Sequence, residues 1–64
     1  MIYTHNKTGN VYEVLKDNVI NATNGNQDGQ KMILYKNIKG EWFIREYNEF
    51  HLKFTRKKGK NLMP

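Results

Sequence analysis

The chain has 64 residues, with 11 basic and 6 acidic side chains, a net charge of +5 and no cysteine. That length bounds it to one domain, which buries only about 60% of the surface its unfolded chain exposes. The missing cysteines exclude a disulfide, a thiolate nucleophile and a thiolate metal ligand, so packing of one Trp, four Tyr and three Phe must hold the fold.

Ile2–His5 is short, with Tyr3 among polar neighbours, and reads as a first strand. Asn6-Lys7-Thr8-Gly9-Asn10 is a turn, since Gly and Asn tolerate the left-handed backbone of tight hairpins. Val11–Leu15 alternates, with Tyr12 and Val14 on one face, and reads as a second strand that Lys16–Ile20 extends. Asn21–Gly29 is rich in Asn and Gly with almost nothing apolar to bury, and reads as a mobile loop. Met32-Ile33-Leu34-Tyr35, flanked by lysines, suits a central strand. Asn37-Ile38-Lys39-Gly40 is a hairpin turn. Glu41–Arg45 is the next strand, with Trp42 and Ile44 on one face and Phe43 and Arg45 on the other. Glu46–Glu49 breaks the alternation and reads as one helical turn, and His51–Thr55 as a last strand. The expected core is Tyr12, Val14, Ile33 or Leu34, Trp42, Ile44 and Phe54.

Four to five short strands, tight turns and one late helical turn predict an all-β, SH3-like small barrel over residues 1–55. Residues 56–64 read as a disordered basic tail. Arg56, Lys57, Lys58 and Lys60 hold four of the five net positive charges, leaving the body close to neutral.

Nothing in the chain approaches the roughly 20 apolar residues of a membrane span, and its start lacks the charged and apolar regions of a signal peptide. The expectation is a cytoplasmic protein with no membrane partner. Heavy use of Lys and Asn over Arg fits an AT-rich genome.

Catalysis is not expected. The chain has no serine, no nucleophile motif and no Gly-rich phosphate loop. Gly25 and Gly29 are not followed by the Lys-Ser/Thr of a P-loop. His5, His51 and Glu49 are the candidates for a metal, Glu49 and His51 sharing a face if they lie on a strand. The plain reading is two ordinary histidines, with no metal and no cofactor. Trp42, Phe43 and Arg45 lie close together and the tail supplies cations, a combination that suits stacking and phosphate contact with nucleic acid. The plainer reading makes those aromatics core.

Tyr3-Thr4-His5-Asn6-Lys7, then Gly9 and Tyr12-Glu13-Val14, resembles the opening of the short bacterial and phage proteins grouped as domain of unknown function 1653. Met32-Ile33-Leu34-Tyr35-Lys36 resembles that family's central strand, and Phe43-Ile44-Arg45 with Phe50 its closing segment. Thr8 is an extra residue, Glu46 replaces a proline, and Asn48 an acidic residue. The resemblance covers residues 3–54. It implies an SH3-like barrel and a phage or prophage origin, and no activity.

The leading expectation is a small non-enzymatic module, a monomer or weak homodimer, that docks on a host protein and modulates it. A nucleic-acid-binding module is the alternative. The candidate partner-binding residues are His5, Glu13, Arg45, Tyr47, Arg56, Lys57, Lys58 and Lys60. His5, Glu13 and Arg45 line one polar groove on this reading, although an ion pair of Arg45 with Glu46 or Glu49 is the plainer role.

Overall fold

The structure, a computed structural model, describes residues 1–26 and 28–57. Five strands and one helix follow in order: β1 (Ile2–His5), β2 (Val11–Ile20), β3 (Lys31–Asn37), β4 (Trp42–Glu46), α1 (Tyr47–Lys53) and β5 (Phe54–Arg56). All pairings are antiparallel, and the five strands form one sheet in the order β4-β3-β2-β1-β5. A four-strand meander whose fifth strand returns beside the first, with a helix before it, is the connectivity of an SH3-like small barrel. The fold is mainly β, as the sequence leads one to expect. No helix among the described residues is long and apolar enough to cross a membrane.

Two register shifts bend β2, one between Val14 and Lys16 and one between Lys16 and Val19. A bulge adds one residue to one strand, which turns and twists it. Its first half pairs with both β1 and β3, and its second half with β3 alone. The bend lets one sheet curl around a small core. The tight β1–β2 connection depends on Gly9, whose φ of +78° is left-handed backbone that other residues adopt only under strain.

The core lies on the concave face and is mostly aromatic. It consists of Tyr3, Val14, Ile33, Tyr35, Phe50 and Phe54, with Tyr12 and Tyr47 packed against it. Phe50 and Phe54 stack with centroids 4.2 Å apart, and Tyr35 meets them edge-on at 5.0 and 5.3 Å. Tyr3 meets Phe50 edge-on at 5.1 Å. These offset and edge-to-face contacts suit the charge distribution of the rings.

Three expectations need correction. Trp42 and Ile44 are not core: they stand on the convex face of an edge strand, 66% and 54% exposed. The helical turn is a seven-residue helix running to Lys53, so His51 and Leu52 are helical and the last strand begins at Phe54. The helix reaches that far because it delivers Phe50 inward and contacts β3, β4 and β5. Finally, Arg56 is not part of a free tail, because it pairs with Tyr3 in β5. Lys57 N–H then donates to Ile2 C=O at 2.8 Å.

Candidate functional site

The sequence-derived candidates do not converge on one place. Strand alternation decides this first. Glu13 lies opposite Ile2 and Lys36 on the convex face, while Arg45 lies opposite the buried Ile33 on the concave face. His5, Glu13 and Arg45 therefore do not line a common groove.

Each of the three has a local role. His5 ends β1, where its Nδ1 sits 3.3 Å from the Thr8 N–H and 3.3 Å from Thr8 Oγ1. Its ring meets Phe54 edge-on at 4.9 Å. Glu13 forms an exposed pair with Lys36 at 3.7 Å. Arg45 donates from Nε to the Tyr35 hydroxyl at 3.2 Å and from a terminal nitrogen to Glu49 Oε2 at 2.7 Å. The Tyr35 hydrogen bond, followed by the lesser pull of Glu49, raises the Arg45 pKa above its ordinary value. Arg45 is thus a fixed cation closing the rim of the aromatic core, with Glu49 as its ion partner. Glu46 is occupied elsewhere: its carboxylate accepts the N–H groups of Asn48 at 3.0 Å and Glu49 at 2.9 Å and caps α1.

Tyr47 lies under the Lys31 ammonium, 4.3 Å from its ring centroid, and against His51 at 4.6 Å. Arg56 and Lys57 are exposed beside β1. Lys58 and Lys60 lie outside the described residues. Glu49 and His51 are two apart on a helix, where such neighbours diverge, so the shared face expected of a strand does not arise. Among the described residues no group of three or more His, Asp or Glu side chains is placed to hold a metal ion.

The geometry points to a different place, between the β1–β2 and β3–β4 turns. Two adjoining clefts of about 270 and 460 Å³ open there. Both are lined by Val11, Tyr12, Asn37 and Ile38. The first extends to Ile2, Glu13 and Lys36, the second to Gly9, Asn10 and Lys39.

Asn37 builds the lip of these clefts. Its Oδ1 accepts the N–H groups of Lys39 at 3.0 Å and Glu41 at 2.9 Å, and its Nδ2 donates to Glu41 Oε1 at 2.7 Å. Gly40, at φ +88°, returns its N–H to Asn37 C=O. With the turn tied at both ends, Ile38 stands out at 86% exposed. A turn whose backbone is already fixed loses little backbone freedom on contact with a partner.

Sequence reasoning passed over this place. One signal was available: Ile38 is an apolar residue inside a turn that otherwise has only Asn, Lys and Gly. No family model, curated protein or solved structure matches the chain.

Proposed function

We propose that the protein is a non-enzymatic module that docks on another protein through the two adjoining clefts, with Ile38 as the central contact. One observation carries the reading: an exposed isoleucine, held on a hydrogen-bonded turn, in the lining of two clefts that Val11 and Tyr12 also line. The matching partner segment presents an apolar side chain to the cleft and polar groups to Lys36, Lys39 and Glu13 around it. Anchors of this kind, seated in a pocket and ringed by polar contacts, dominate protein–protein affinity.

Nucleic acid fits the surface less well. The clefts carry Lys36 and Lys39 against Glu13, with Lys36 already paired, so among the described residues that line them no continuous basic track meets a phosphate backbone. Trp42 and Phe43 face opposite sides of β4, and Arg45 is held by Tyr35 and Glu49, so the three do not form one stacking platform. The proposed setting is a phage- or prophage-encoded protein acting in the host cytoplasm. The proposed kinship with domain of unknown function 1653 rests on residues 3–7 with Gly9, 12–14, 32–36 and 43–45 with Phe50, of which Tyr3, Tyr12, Val14, Ile33, Tyr35 and Phe50 lie in or against the core.

The test is affinity purification of the tagged protein from its native cell, beside an Ile38→Glu variant and a form ending at Lys57. One dominant protein retained by the first and third and lost by the second is the expected result. Nucleic acid released by nuclease treatment, with no protein partner, overturns the reading. Truncation at Thr55 is not equivalent, because it removes Arg56 from β5.

A further inference from the structure

The sheet has two edges, and the chain treats them differently. β5 is three residues long, and Lys53, Arg56 and Lys57 crowd it with positive charge. Short strands and lysines are how proteins keep an edge from recruiting another strand. β4 is the opposite edge, Trp42-Phe43-Ile44-Arg45-Glu46, without lysine or proline, and its three apolar residues are all exposed.

Its backbone is set up to accept another strand. Asn37 N–H donates to Glu41 C=O at 3.0 Å, so in the β3–β4 register the odd residues 41, 43 and 45 turn their polar backbone groups toward β3. Trp42, Ile44 and Glu46 turn theirs outward. Among the described residues no turn, loop or cap hydrogen bond uses the backbone of Trp42 or Ile44.

We propose that β4 pairs antiparallel with β4 of a second copy, across a two-fold axis normal to the sheet at Phe43. A two-fold interface must be self-complementary. In this register Phe43 meets its own copy at a position without ladder hydrogen bonds, on the concave side. Trp42 meets Ile44 of the partner subunit on the convex side, twice, and these outward-facing residues exchange the new ladder hydrogen bonds. Glu41 comes opposite Arg45 of the partner subunit, also twice, so unlike charges face each other. The register centred on Ile44 is inferior, since it sets Trp42 against a carboxylate, Glu46 of the partner subunit.

The occupant is a second copy because the same five residues supply both halves of every pair. The contact is small beside the roughly 1,200 Å² of a stable interface, so the association is weak and reversible. It uses the β4 edge rather than the Ile38 clefts and does not rest on the docking proposal.

Sedimentation equilibrium of the intact chain is the first test, the mass expected to approach doubling between about 10 µM and 1 mM, the range that a dissociation constant of roughly 0.1 mM sets. Ile44→Pro removes an outward N–H and an exposed side chain while leaving the β3 ladder its partners, so it is expected to stay folded by circular dichroism and remain monomeric throughout. A third arm tests register without relying on that variant. The chain has no cysteine of its own. Phe43→Cys places two thiols across the axis at about 4.5 Å between Cα atoms, within disulfide range. It is expected to cross-link at least tenfold faster than Ile38→Cys or Ile44→Cys under mild oxidation. A wild-type chain that is monomeric at 1 mM overturns the proposal. A dimer that survives Ile44→Pro, or equal cross-linking rates for the three cysteines, overturns it as well.

Discussion

The concave and convex faces of this sheet carry similar side chains and use them for different purposes. On the concave face Tyr3, Ile33, Tyr35, Phe50 and Phe54 are shut away from water. On the convex face Ile2, Val11, Trp42 and Ile44 stay exposed. Hydropathy does not separate the two groups, and the largest side chain of all, Trp42, is on the wet side. What separates them is position. Residues on the inner side of a curled sheet converge on its axis, Phe54 of the edge strand β5 included, while residues on its outer side have nothing to converge on. Single apolar side chains in water are ordinary, whereas neighbouring ones that share a face, as Trp42 and Ile44 do, are the kind of surface that contacts use.

The sharpest break of this comparison is Phe50→Ala. Phe50 is 0% exposed and touches Tyr3, Tyr35 and Phe54. Emptying such a site costs about 3–5 kcal/mol, which matches the whole net stability of about 3–5 kcal/mol that one core of this size supplies. The variant is expected to be unfolded at room temperature by circular dichroism and proton NMR dispersion. A cooperative melt near the wild-type temperature would show that the concave face is not the core.

Trp42→Ala is the counterpart. At 66% exposed, with its cross-strand neighbour Lys36, it is expected to cost less than about 1 kcal/mol. Denaturant unfolding measures it directly. A loss as large as that of Phe50→Ala would put Trp42 back in the core and close the convex face as a contact surface.

Much of the frame was readable from residues. Gly9 and the Asn37–Gly40 turn mark two hairpins by their backbone chemistry, and the strands between them follow from period-two alternation. The choice of face in β4 was not readable, because Trp42 and Ile44 alternate with Phe43 and Arg45 and either pair can be inward. The resolving facts are that β4 is an edge and that Arg45 reaches back to Tyr35, both products of the whole topology. The helix was half legible. Leu52 and Phe54 look like strand alternation, yet Tyr47, Phe50 and Phe54 are spaced by three and four, the period of one helix face. Of the sequence-derived candidates, an acidic partner for Arg45 was legible, but not that Glu49 pairs with it while Glu46 caps the helix. The clefts were not, since Tyr12 and Ile38 come together only when β2 and β3 pair.

The smallest expected effect belongs to Glu46, which links the two faces. It lies opposite Met32 on the convex side of β4, yet its carboxylate caps the helix that carries Phe50 into the core. Hydrogen bonds from the N–H of Asn48 and then of Glu49 hold its pKa below the ordinary 4.5. A carboxylate with a depressed folded pKa adds stability that is fully present above its unfolded value and is lost as pH falls through the folded one. The group is exposed and screened by solvent, so the effect is small. Unfolding of wild type and Glu46→Ala is to be compared from neutral pH down into acid. The wild-type advantage is expected to be constant above pH 4.5 and to shrink below it as the cap is protonated. An advantage that persists unchanged at the acid end would mean that the capping charge contributes nothing. The inward placement of Phe50 would then depend on packing alone.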